Sequence, residues 1–141
     1  MFKNTRYSKV LGTEKQRTEA LMQPADIYII NYENAHWLST INKKLKIPFN
    51  TIVCDESTKI KNHHRRGRAI GDVNILERAS VIGGTKNANA IVGMSGDVRY
   101  WYNLTGTPAP NKLQDLWGQQ FPIDFGKALG STLSLFRASS L

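Results

Sequence analysis

At 141 residues the chain has the length of one domain, and 40% hydrophobic with 9% aromatic residues suits a globular fold with a buried core. Nineteen Lys and Arg against eleven Asp and Glu leave a net charge of +8, which favours polyanionic partners, nucleic acid before membrane surface. The single cysteine, Cys54, excludes an internal disulfide. No apolar run approaches transmembrane length, and the polar, basic Met1–Val10 reads as no signal peptide, so the expected compartment is cytoplasmic and no membrane partner is expected.

Thr13 and Gln16 have the spacing of a capping box, and Glu14 to Gln23 are good helix formers that Pro24 stops. Asp26 to Tyr32 is β-branched and aromatic and reads as a buried strand. A helix is predicted from about Glu33, with Trp37, Leu38, Ile41 and Leu45 on one face. Lys43, Lys44 and Lys46 crowd its end, where the helix dipole favours cations, and Pro48 closes it. Phe49 to Cys54 is the next strand, ending in Asp55-Glu56-Ser57-Thr58. Glycines 71, 83, 84, 93 and 96 punctuate residues 71–97, where Ile75 to Ile82 fits a short helix or a strand equally. Val98 to Leu104 is a further strand, followed by Thr105-Gly106-Thr107-Pro108-Ala109-Pro110-Asn111. Asn111 is placed to cap a helix carrying Leu113, Leu116 and Trp117 inward. A last helix, about Gly126 to Arg137, aligns Leu129, Leu133 and Phe136.

Strand, helix, strand with apolar strands implies an α/β domain with a parallel sheet flanked by helices, whose ligands bind at the carboxyl ends of the strands. Two signatures fall at such ends. Asp55 at a strand tip can hold magnesium, and Glu56 beside it can orient water for attack on a nucleoside triphosphate. In Thr105 to Pro108, the hydroxyls can bond a carboxylate or a nucleic-acid phosphate, Gly106 frees the backbone, and Pro108 fixes the chain after it. Each alone is ordinary: an Asp-Glu strand end is common, and the second segment is a plain strand-to-helix turn. Their pairing at one sheet rim is what points to an active site.

Taken together, Ile-Val-Cys-Asp-Glu-Ser-Thr, Leu-Thr-Gly-Thr-Pro-Ala-Pro-Asn and Leu113-Gln114-Asp115-Leu116-Trp117 resemble the first RecA-like lobe of Swi/Snf-type helicases of the second superfamily, especially compact phage forms. Asn31-Tyr32-Glu33-Asn34 and Gly126 to Arg137 resemble the segments before and after these motifs, so the likeness runs from about Tyr7 to Arg137. The resemblance implies an incomplete RecA-like sheet over residues 1–141, with 71–97 a candidate insertion. It implies magnesium and ATP as cofactors, Asp55 holding the metal and Glu56 activating water. Thr105, Gly106, Thr107 and Pro108 would couple hydrolysis to movement on DNA, in a bacterial or phage-infected cell. The spacing Gly, four residues, Gly-Lys-Ser/Thr occurs nowhere in the chain, and a second lobe with its arginine is absent. ATP hydrolysis is therefore expected only with complementing segments. The alternative is a helicase-derived protein without catalysis that binds or inhibits a nucleic-acid-processing complex.

Lys59, Lys61, Arg65, Arg66 and Arg68 put five full positive charges within ten residues beside the carboxylates. They are candidate DNA-phosphate contacts, or else a solvated face. Adjacent His63 and His64, a remote His36 and one cysteine do not have the spacing of a zinc site. Tyr100 and Tyr102 could stack on bases; Trp101 is expected in the core.

Overall fold

A computed structural model describes residues 4–63 and 85–139. Arg65, Arg66, Arg68, and the part of the candidate insertion before Thr85, lie outside the described residues. The chain runs β1 (Tyr7–Lys9), α1 (Glu14–Met22), β2 (Ile27–Ile29), α2 (Ala35–Leu45) and β3 (Thr51–Asp55). It continues with α3 (Lys86–Gly93), β4 (Tyr100–Leu104), α4 (Gln114–Asp124) and α5 (Leu133–Ser139). Single 3-10 turns at Tyr32–Asn34, Ser57–Ile60 and Met94–Asp97 join them. The fold is mixed α/β. Among the described residues the strands form two separate two-stranded parallel sheets, β1–β2 and β3–β4, rather than the one sheet expected.

Local chemistry accounts for most of the boundaries. Thr13 Oγ1 accepts from Gln16 N at 3.3 Å while Gln16 Oε1 accepts from Thr13 N at 2.8 Å, the reciprocal capping box read from the sequence. Helix α2 ends at Lys46, whose left-handed backbone (φ 50°) lets its N–H reach Asn42 O at 2.7 Å. The predicted strand 26–32 shrinks to three residues. Only Tyr28 turns inward, while Ile27 and Ile29 stand about half exposed and Tyr32 has entered a 3-10 turn. Alternation along a short strand buries one side chain in two, so the expected full burial is not met. The last helix starts at Leu133, not near Gly126, because Gly126 and Gly130 both take positive φ (86° and 90°). Asn111 is not the cap of α4; its backbone N–H instead donates to Asp115 Oδ2 at 3.3 Å.

Two apolar clusters form the core. One joins Ala35, Cys54, Ile60, Ile91, Val92, Trp117, Phe121 and Phe136, with Ile52, Trp101, Leu129 and Leu133 against it. The other joins Val10, Leu21, Leu38 and Met94, with Tyr28, Trp37, Ile41 and Phe49 around it. Helix α3, which falls where the sequence has its glycine-punctuated stretch, packs on α2 and contributes Ala88, Ile91 and Val92.

Helix α4 carries a proline in its interior, Pro122. Proline has no N–H, so the carbonyl four residues back, Gly118 O, loses its helical donor. His63 supplies one: its Nε2 lies 2.7 Å from Gly118 O, and because a carbonyl only accepts, Nε2 carries the proton. The ring is buried and stacks on Trp117, centroids 5.2 Å apart. Gly118 also permits the contact itself, since a Cβ there would stand 2.1 Å from Lys61 O. Thus α4 lies backbone to backbone against residues 61–63, just beyond the Asp-Glu turn.

Candidate functional site

Strands β3 and β4 are parallel, and their register pairs Thr51 with Tyr100, Val53 with Tyr102 and Asp55 with Leu104. Asp55-Glu56 and Thr105 to Pro108 therefore leave the ribbon at the same carboxyl-terminal rim. This is the juxtaposition that the two motifs require.

The carboxylates are exposed at the strand tip. Asp55 Oδ1 accepts from the Glu56 N–H at 3.0 Å, leaving its second oxygen free of a protein partner at that turn. Glu56 adopts φ 53°, ψ 50°, a left-handed conformation that costs a residue with a Cβ about 1 kcal/mol. That reversal ends the strand, and the chain turns at once into the 3-10 segment Ser57–Ile60. Tyr32, in the turn before α2, donates its hydroxyl to Asp55 O and ties that turn to the strand tip. Burial holds the Tyr32 phenol above its ordinary pKa, helped by neighbouring Cys54 and the two carboxylates, so it stays a donor. Burial likewise pushes the Cys54 thiol up to about 12, leaving it an unreactive core residue.

One side chain that sequence reading passed over joins the two motifs. Gln119 of α4 is buried at 5% exposure. Its Oε1 accepts from Ser57 Oγ at 2.7 Å, and its Nε2 donates to Pro108 O and to Asp115 O, the latter at 3.0 Å. Asn103 of β4 donates to Gln119 O at 2.7 Å, and Trp101 Nε1 donates to Asn103 Oδ1 at 2.8 Å. The residue after Asp-Glu and the proline closing Thr-Gly-Thr-Pro thus share one amide. A signal did exist: Gln119 follows Asp115 by four residues and so shares its helix face. Only packing could reveal which loops that face meets.

The Thr105–Pro108 loop is held by Thr105 Oγ1, which accepts from Thr107 N at 3.1 Å. Gly106 does not take positive φ, and a Cβ there would meet open space, so the backbone freedom expected of it is not used in this conformation. An open cleft of about 420 Å³ is lined by Ser57, Thr105, Pro108 and Gln119 together with Leu116, Ile123 and Leu129.

Of the basic run, Lys59 is exposed, with its Nζ 5.9 Å from the Tyr32 ring centroid. Lys61 is not available as a DNA contact. Its Nζ lies 3.0 Å from Asp115 Oδ2, with the two side chains 15% and 4% exposed. A buried carboxylate left unpaired would be costly, and Lys61 is the charge that pairs it. Burial pushes the Asp115 carboxyl up, but hydrogen bonds from Lys61 and the Asn111 N–H outweigh it, and the group is held below its ordinary value.

Among the described residues, no cluster of three or more His, Cys, Asp or Glu could hold a metal ion by itself. Two adjacent exposed carboxylates do suit magnesium carried by a nucleotide, an ion bound through one or two carboxylates plus phosphates and water. Among the described residues, no helix is long and apolar enough to cross a membrane.

The chain has a phage relative. It is 36% identical over 135 residues to protein p41 of Acyrthosiphon pisum secondary endosymbiont phage 1. The match takes in 95% of this chain and 26% of p41, so the chain spans about a quarter of that relative's length. No family model matches.

Proposed function

We propose that the chain is part of the first RecA-like lobe of an ATP-dependent DNA helicase or translocase, of the Swi/Snf type and working in the cytoplasm of a phage-infected cell. The observation that carries this reading is the β3–β4 register, which brings Asp55-Glu56 and Thr105–Pro108 to one rim, with Gln119 bonded to both flanks. Asp55 would hold magnesium, which when bound neutralises charge on the nucleotide's phosphates. Glu56 orients the attacking water. A change in the Asp-Glu turn reaches Pro108 through Ser57 and Gln119, which gives the coupling loop a physical link to the hydrolytic end. Lys59, with Arg65, Arg66 and Arg68, supplies phosphate contacts that do not read sequence.

The chain holds no Gly-x-x-x-x-Gly-Lys-Ser/Thr segment, so its contribution to turnover depends on polypeptide that has one. The test is a chimera in which this chain replaces the matched 135 residues of p41. The chimera should show DNA-stimulated ATPase that Glu56→Gln abolishes. Undiminished turnover in that variant would refute the role of Glu56, and a chimera that folds without turnover would refute the motor. A second reading is a helicase-derived binding or inhibitory protein without catalysis. It would be recognised by tight, ATP-independent association of the chain alone with a nucleic-acid-processing complex.

A further inference from the structure

Both parallel ribbons turn large apolar side chains outward. In β3–β4 the inward positions Ile52, Cys54 and Trp101 meet the first core cluster, with Ala35, Ile60, Ile91, Val92, Trp117, Phe121 and Phe136. The alternate positions face away from it, and there Val53 is 57%, Tyr100 44%, Tyr102 53% and Leu104 51% exposed, with exposed Thr51 and Asp55 at the two ends of β3 on the same side. In β1–β2 the same alternation leaves Tyr7, Ile27 and Ile29 between 48% and 64% exposed, beside exposed Lys9. Strands buried on one face and solvated on the other carry polar residues outward, as antiparallel sheets do. Parallel strands are found almost only with both faces covered, and their outward residues are accordingly apolar. Apart from Thr51 and Asp55, the outward residues of β3–β4 have the composition of the covered kind, and Val53 stands opposite Tyr102 in the register, so the apolar strip of β4 reaches across to β3 at its centre. A contiguous exposed strip of this sort marks an interaction surface. The matched relative shows where a cover could come from, since about three quarters of p41 lies outside the region it shares with this chain.

We infer that the apolar part of the outward face of β3–β4, namely Val53, Tyr100, Tyr102 and Leu104, is a docking surface for an amphipathic helix supplied by polypeptide of the kind that flanks the matched region in p41, with the Asp55 carboxylate left open at the rim. The helix brings an apolar stripe across the two strands and completes the second layer that a parallel sheet requires. Exposure and strand register carry this inference, and it stands whether or not the motor reading does.

Hydroxyl-radical footprinting with mass spectrometry tests it, comparing the 141-residue chain alone with the p41 chimera. In the chain alone these four side chains should label readily. In the chimera they should lose that labelling and approach the level of Trp117, which is 2% exposed. Tyr102→Glu, with Tyr102→Ser as the milder variant, should leave the folding of the chain alone unchanged by circular dichroism. In the chimera the same variants should restore labelling. If the chimera does not fold, the chain is co-expressed with the two p41 flanks, and capture of one flank, lost in Tyr102→Glu, is the supporting result. Protection already present in the monomeric chain would overturn the inference, because the chain would then cover its own face. So would protection by a dimer that Tyr102→Glu disperses, equal labelling in the chimera, or failure of both flanks to bind. ATPase is not among these readouts, so an inactive but protected chimera would count against the motor alone.

Discussion

Replacing Gln119 with Leu removes a side chain bonded to both motifs while keeping a similar volume in α4. Ser57 has 0% exposure, so its hydroxyl loses its acceptor where water cannot replace it, at a cost of about 2 kcal/mol. Pro108 is exposed and its carbonyl can recruit water, so that lost bond costs about 1 kcal/mol. Asp115 O keeps the helical N–H of residue 119, and the bond from Asn103 reaches a backbone carbonyl, so neither adds to the total. The sum is about 3 kcal/mol, a large share of the ~5–15 kcal/mol by which domains are stable. With a urea slope of about 2 kcal/mol per molar, the unfolding midpoint followed by tryptophan fluorescence should fall by about 1.5 M. Ser57→Ala in the same background removes the stranded hydroxyl, and the double variant should regain about 1–2 kcal/mol over the sum of the singles. An unchanged midpoint in Gln119→Leu, or strictly additive singles, would refute the bridge.

Further outcomes follow from the packing around this bridge. Gly118→Ala drives a methyl into Lys61 O and should destabilise by about 3 kcal/mol, although alanine is the better helix former; a rise in thermal midpoint would show that α4 does not touch residues 61–63. Because Asp115 titrates lower in the folded protein than in the unfolded chain, its stabilising contribution is complete above about pH 4 and is lost as pH falls through the folded value. Unfolding midpoints measured from neutral pH downward should therefore slope less in Lys61→Met with Asp115→Leu than in the parent, and parallel slopes would discount the pair. Cys54, with its thiol raised to about 12, should react with a disulfide reagent at pH 8 only as fast as the protein opens, and promptly in urea; immediate labelling of the folded protein would place it outside the core.

Much of the local order was already written in the sequence. The Thr13–Gln16 box, the lysine-rich end of α2 and the two strand ends at Asp55 and Leu104 were legible because each depends on residues within a few positions of one another. The parallel β3–β4 pairing was implied by the order of elements, but its register was not. Helix α3 was not legible, because Gly93 and the residues around it dilute an apolar pattern that only packing on α2 sustains. Tertiary structure also redefined Lys61. As a letter it is one of five cations near an Asp-Glu turn; in space it pairs with Asp115, 54 positions away. Gln119 and His63 show the same limit. Their partners, the Ser57 hydroxyl and a carbonyl that Pro122 leaves without a donor, are set by where α4 crosses the end of β3, and a one-dimensional pattern does not encode that crossing. Charges and caps answer to their neighbours in the chain. Buried hydrogen bonds answer to whatever the fold brings within 3 Å.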